Sequence, residues 1–134
     1  MQNWEKKIHV KSTLEPKSNQ YALFIGRWQP LHDGHKALFK QALDEGKNVW
    51  IAIRDVETTD SNPFNAQEVL KNIGNEYKDL CGQGRVRVSI VPDICSVEFG
   101  RGVGYDIIEH IPPTQVAEIS ATKVREQMRK DGKL

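Results

Sequence analysis

The feature that most constrains this chain is a strand that runs into a helix through a glycine-bearing turn, over residues 21–45. Tyr21-Ala22-Leu23-Phe24-Ile25 is a short apolar run of the kind that fills a buried strand. Gly26 breaks it, and Gln29-Pro30 turns the chain. After Gly34 the apolar spacing becomes helical, with Ala37, Leu38, Ala42 and Leu43 on one side, and Gly46 stands where a helix over about 34–45 needs its cap. Val49-Trp50-Ile51-Ala52-Ile53 is a second continuous apolar run, fit for a parallel strand buried on both faces. Strand, helix and strand in such quick succession make a βαβ unit.

The order matters chemically. A strand that feeds a helix through a glycine loop brings backbone N–H groups and a helix N-terminus to one point, and that point attracts phosphate. His32, His35 and Arg27 converge on it. The two histidines share a face if the helix has begun by His32. Arg27 adds a permanent forked positive charge.

The rest of the chain continues the alternation. Residues 1–20 are polar and mixed in charge and are expected to form an N-terminal arm, with Lys6 to Lys11 as a short edge strand and Ser12 to Gln20 as a loop. Residues 21–134 then form one domain. Arg54 to Asn62 is a polar loop at the end of the second core strand, where ligands bind in open α/β sheets. Asn65 is a helix cap, followed by Val69, Leu70, Ile73, Tyr77 and Leu80 at helical spacing up to Gly82 and Gly84. Val86 to Val91 is a third core strand, stopped by Pro92-Asp93. Val97-Glu98-Phe99 reads as a short strand, and Tyr105 to Ile111 as another, with a helix as the alternative, ended by Pro112-Pro113. Ser120 caps a last helix on which Thr122, Arg125 and Arg129 lie near one face. The expected fold class is α/β: a single small doubly wound, Rossmann-like domain with a parallel sheet and its site at the carboxyl ends of the strands.

Composition limits the function classes. With 134 residues, 38% of them hydrophobic, the chain can build a core without disulfide or metal staples. A net charge of +1 argues against a general nucleic-acid-binding surface. No apolar run approaches the ~20 residues of a membrane span. The start has no signal-peptide pattern, so Cys81 and Cys95 are expected to be reduced thiols in a cytoplasmic protein. There is no Ser-His-Asp order, no C-x-x-C and no glycine-rich P-loop, since Gly100 to Gly104 is not followed by Lys-Ser/Thr. His32-x-x-His35 is half of a zinc site at most, with no third ligand evident, so no metal-ligating residues are assigned.

Gly26-Arg27-Trp28-Gln29-Pro30-Leu31-His32-Asp33-Gly34-His35 resembles the H-x-G-H signature of the nucleotidyltransferase superfamily. It is close to the Gly-Arg-Phe-x-Pro-Phe-His-x-Gly-His form of archaeal-type nicotinamide-nucleotide adenylyltransferases. The superfamily also includes phosphopantetheine adenylyltransferase and the glycerol-phosphate and choline-phosphate cytidylyltransferases. Ile119-Ser120-Ala121-Thr122-Lys123-Val124-Arg125 is similar to its second signature, Ile-Ser-x-Thr-x-x-Arg. Asn62-Pro63-Phe64-Asn65 matches all but the last position of an Asn-Pro-Phe-Thr segment, and Pro92-Asp93 has a counterpart too. The family carries a helix and a longer connection after that Pro-Asp, for which this chain has little room.

The resemblance implies transfer of a nucleoside monophosphate, AMP before CMP, from a nucleoside triphosphate to a phosphorylated small molecule, with release of pyrophosphate. His32, His35 and Arg125 are then the catalytic residues. Phe24, Ile25, Gly26, Arg27, Gly34, His35, Ile119, Ser120, Thr122 and Arg125 bind the nucleotide. Arg27, Trp28 and Asp93 are expected on the acceptor. Mg²⁺ would be held mainly through substrate phosphates. The expected partners are these two small molecules, without nucleic acid or membrane, and with a homo-oligomer open. Gln115-Val116-Ala117-Glu118 lacks the Arg-Thr-x-Gly of cytidylyltransferases, which favours ATP, although Arg101 could replace that arginine as a base reader. A cytidylyltransferase using CTP and a sugar or polyol phosphate, and a catalytically silent nucleotide-binding module, are the alternatives.

Overall fold

The computed structural model describes residues 3–134. Its centre is a three-stranded parallel sheet of β2 (Tyr21–Gly26), β3 (Asn48–Asp55) and β4 (Val86–Pro92), in the spatial order β2-β3-β4. The connecting helices are α1 (Asp33–Asp44), α2 (Ala66–Glu76) and the single turn α3 (Lys78–Gly82). Alternate residues of β3 explain the layering. Val49, Ile51 and Ile53 face Phe39 of α1 and Val69 and Ile73 of α2, and all six are fully buried or nearly so. The opposite face carries Tyr21 and Leu23, 40% and 48% exposed. There the Trp50 indole donates to Ser89 Oγ at 2.6 Å and the Arg87 guanidinium lies 5.9 Å from the Trp50 ring centre. This is the Rossmann-like α/β architecture expected from the sequence.

Local chemistry sets the helix ends. Asn65 caps α2 in a reciprocal box with Glu68, each side chain accepting the other's backbone N–H. Gly46 follows the last turn of α1 with φ +83°, a left-handed conformation that suits glycine, and its N–H returns to the Leu43 carbonyl.

The expected edge strand at the start of the chain is β1 (Glu5–Val10). It pairs antiparallel with β5 (Ile107–Ile111) in a separate ladder, and its Lys6 meets Glu45 beside the end of α1 at 2.6 Å. Two sequence expectations need correction. Val97 to Phe99 is not a strand: it has no ladder partner, and Val97 and Phe99 are 63% and 54% exposed. The helix read as continuous to Leu80 breaks at Tyr77, whose φ of −107° and ψ of 24° leave the helical region while its ring stays 6.0 Å from that of Phe39. The short α4 (Thr114–Ala117) and the final α5 (Ala121–Lys130) complete the chain. Among the described residues, no helix is long and apolar enough to cross a membrane.

Candidate functional site

The turn between β2 and α1 is built around Trp28. Its backbone has φ 53°, a left-handed conformation that costs a side-chain-bearing residue about 1–2 kcal/mol. The indole holds it there: Nε1–H donates to the Ala52 carbonyl at 3.1 Å, and the ring packs edge-on against Phe39 and His35. Gly26 makes room, since a Cβ there would stand 2.8 Å from the Trp28 ring. Gln29 and Pro30 follow, joined by a cis peptide.

His32 does not begin the helix. It is the N-cap, in extended conformation, with the Gly34 and His35 N–H groups donating to its Nδ1. His35 Nδ1 in turn accepts the His32 N–H at 3.2 Å. The imidazoles stack, with centroids 3.6 Å apart and planes 17° from parallel. The reciprocal cap therefore brings the two rings together, rather than a shared helical face. It has two chemical consequences. Both Nδ1 atoms act as acceptors, so this hydrogen-bond pattern assigns the proton of each neutral ring to Nε2. Two first-turn N–H groups that a bare helix end would offer to an anion are already occupied. Burial lowers the His32 pKa, and burial followed by the charge of His32 lowers that of His35 to about 3. At neutral pH, His35 is a neutral Nε2–H donor.

Arg125 of α5 reaches this turn. It is 7% exposed, and its Nη1 donates to the Gln29 carbonyl at 2.8 Å and Nη2 to Thr122 Oγ1 at 3.4 Å. Burial, and then Arg27 and Arg129, lower its pKa, so three guanidiniums feel one another here. Arg27 donates to Asn62 Oδ1 and Arg129 to the Asp60 carbonyl, tying the loop after β3 to both ends of the chain's chemistry. A pocket of about 310 Å³ is lined by Ile25, Gly26, Arg27, Trp28, His35 and Arg125, among others. Arg27 also borders an open cleft of about 670 Å³ at the carboxyl ends of β3 and β4, with Arg54, Asp55, Glu57, Thr59, Asn62 and Asp93.

Residues 23–75 match the model of the Cytidylyltransferase-like family. Two curated relatives are similar over part of their length. A nicotinamide-nucleotide adenylyltransferase of Methanococcus aeolicus is 43% identical over 59 residues, which are 42% of this chain and 34% of that protein. A nicotinamide-nucleotide adenylyltransferase of Saccharolobus solfataricus is 35% identical over 72 residues, 52% of this chain and 41% of that protein. The matched segment is similar to proteins of the nucleotidyltransferase superfamily. The chain spans well under two thirds of the length of either relative, and residues 119–125 lie beyond the family match.

Against this superfamily pattern, the expected residues separate into groups. Ile25, Gly26, Arg27, Trp28, His35 and Arg125 meet at the smaller pocket. Gly34 packs beside His32 and Ile119. Ser120 caps α5 by accepting the Lys123 N–H, and Thr122 accepts from Arg125. Phe24 turns its ring into the core, 5.2 Å from Phe39. Trp28, expected on the acceptor, is only 7% exposed and spends its N–H on Ala52. Asp93 lies across the larger cleft, paired with Arg54 at 2.8 Å. Arg101 lines neither pocket. Sequence reasoning did not single out Arg54, Asn62 or Gln29 as site residues. Gln29 had the clearest signal, an amide in the middle of a turn that the fold buries.

Proposed function

We propose that this chain is a nucleotidyltransferase that passes AMP from ATP to a phosphorylated small molecule. A phosphate oxygen of the acceptor attacks the α-phosphorus, the α–β bridging bond breaks, and pyrophosphate leaves with the electron pair. The observation that carries the reading is the pocket on which neutral His35, Arg27 and Arg125 converge. Such a reaction needs charge stabilisation and positioning more than covalent chemistry. In this reading His32 and His35 donate through Nε2–H to the charge developing at the α-phosphate. Arg125, Thr122 and the capped end of α5 hold the outer phosphates, and Arg27, between pocket and cleft, binds charge on either substrate. The acceptor occupies the cleft bordered by Arg54 and Asp93.

Among the described residues no group of three or more His, Cys, Asp or Glu is placed to hold a metal ion. The carboxylates of Asp55 and Glu57 in the cleft are hard oxygen donors of the kind that suit a Mg²⁺ carried mainly by substrate phosphates and water. Bound there, the ion would neutralise charge on the phosphates.

The names of both relatives favour ATP, and the name of the matching family favours the second reading, cytidylyl transfer from CTP. Pyrophosphate release from ATP and CTP, each with nicotinamide mononucleotide, pantetheine phosphate and glycerol phosphate, tests both. Turnover is expected with ATP. A tenfold higher kcat/KM for CTP moves the assignment to the second reading. Binding of both nucleotides without release for any acceptor would leave a silent nucleotide-binding module.

A further inference from the structure

We propose that Gln29 is a positioning residue, whose side chain sets the geometry of the site by fixing three separate segments to one another. The residue is 3% exposed, and a buried amide without partners is costly. Here both ends are satisfied by a single residue. Phe64 N–H donates to Gln29 Oε1 at 3.0 Å, and Gln29 Nε2–H donates to the Phe64 carbonyl at 2.8 Å. The side chain thus imitates one rung of a backbone ladder across 35 residues of sequence. Phe64 immediately precedes Asn65, the cap of α2, so the rung fixes where α2 begins.

The backbone of the same residue receives the third segment. Its carbonyl accepts the 2.8 Å bond from Arg125, the buried arginine of α5. The orientation of that carbonyl depends on the turn around it, and the turn is held on one side by Trp28 on Ala52 and on the other by the amide of Gln29 on Phe64. Removing the amide would free one of the two restraints. Arg125 would then lose a fixed acceptor, although no atom that it touches has been deleted. Gln29 also lines the smaller pocket, but its two amide bonds are spent on Phe64. It acts through Arg125 and through the start of α2.

The catalytic part of the inference rests on the function proposed above, whereas the structural part does not, so each is read separately. Gln29→Met keeps the chain length and removes both hydrogen-bonding ends. Amide exchange followed by mass spectrometry is expected to show faster exchange in two peptides at once, residues 62–68 and 121–129, with protection of β3 unchanged. Faster exchange in 62–68 alone would overturn the positioning role, because the amide would then serve Phe64 only. If Gln29→Met does not fold, Gln29→Asn, which keeps the amide but shortens its reach, is subjected to the same comparison. With an NTP and acceptor that the parent turns over, kcat is expected to fall at least tenfold at a temperature where the variant is fully folded. A kcat and KM within twofold of the parent would also overturn it. A parent that releases no pyrophosphate would sink the proposed reaction and leave the exchange result to decide Gln29.

Discussion

His32 and His35 each hold the other's backbone: the N–H of one donates to the Nδ1 of the other in both directions. A cap made of two imidazoles works only while Nδ1 is unprotonated. In the folded chain the His35 pKa lies near 3, against an ordinary value of 6.5. The unfolded chain therefore takes up a proton at a pH where the folded chain does not. The stability from this group is complete above pH 6.5 and is lost as the pH falls from there towards 3. His32 and His110, both lowered by burial, act in the same direction. Urea unfolding between pH 7.5 and 5 should show a falling midpoint, and a flat profile over that window would refute the depressed value.

His35→Ala should lower turnover by about 10²-fold, the usual loss for one preorganised donor at a developing charge. It should cost only about 1 kcal/mol of stability as a damaged cap. The check is the rate of pyrophosphate release from a variant with unchanged circular dichroism. A rate near that of the parent would remove His35 from the chemistry.

Arg125→Ala should separate binding from folding. ATP with Mg²⁺ at 100 times its dissociation constant adds about 2.7 kcal/mol of stability to a protein whose unfolded chain does not bind it. Most of the corresponding rise in Tm should vanish in the variant. If the whole shift survives, the guanidinium holds the Gln29 carbonyl and no phosphate.

Gly34→Ala probes the stacked pair from the other side. The new Cβ would sit 2.9 Å from His32 Cε1 and 3.1 Å from its Nδ1. The ring must move, so the cap and the stack are disturbed together, at a cost of about 1–3 kcal/mol. Thermal unfolding measures the loss, and the histidine ring resonances should shift for both His32 and His35.

Phe39→Ala should be the most damaging of these substitutions. The ring is fully buried and meets Phe24, Trp28 and Tyr77 at centroid distances of 5.2, 5.1 and 6.0 Å. Truncation leaves a cavity under the site turn and should cost about 3–5 kcal/mol. A loss below about 1 kcal/mol, from denaturant midpoints, would show that the surrounding rings collapse into the space.

The legible parts of the sequence were those governed by local rules. Apolar runs of five residues gave β2 and β3, and Asn65 and Ser120 announced their helices because caps are chemically specific. The approach of Arg125 to the first turn could be expected only through the resemblance, since no periodicity relates residues 29 and 125. Three other features were hidden. The break at Tyr77 interrupts a helical spacing that ran on, at a residue whose ring packs on Phe39 across the core. Val97 to Phe99 has strand composition, but a strand exists only with a partner. The roles of Gln29 and Arg54 depend on atoms 35 and 39 residues away, Phe64 and Asp93, which only the closed sheet brings near.

The register of the central strand has a consequence for the site as a whole. Gly26, Ile53 and Ile90 are aligned across the sheet, and the next residues on β3, Arg54 and Asp55, face Val91 and Pro92. The loops carrying Arg27, Glu57 and Asp93 all leave from this common line. A slip of one residue would displace an edge by about 3.3 Å and turn Ile53 away from the core. That displacement exceeds a hydrogen bond's tolerance, so the sheet works as a vernier: the same side chains that keep Ile51 and Ile53 dry also gauge the distance between the two halves of the pocket.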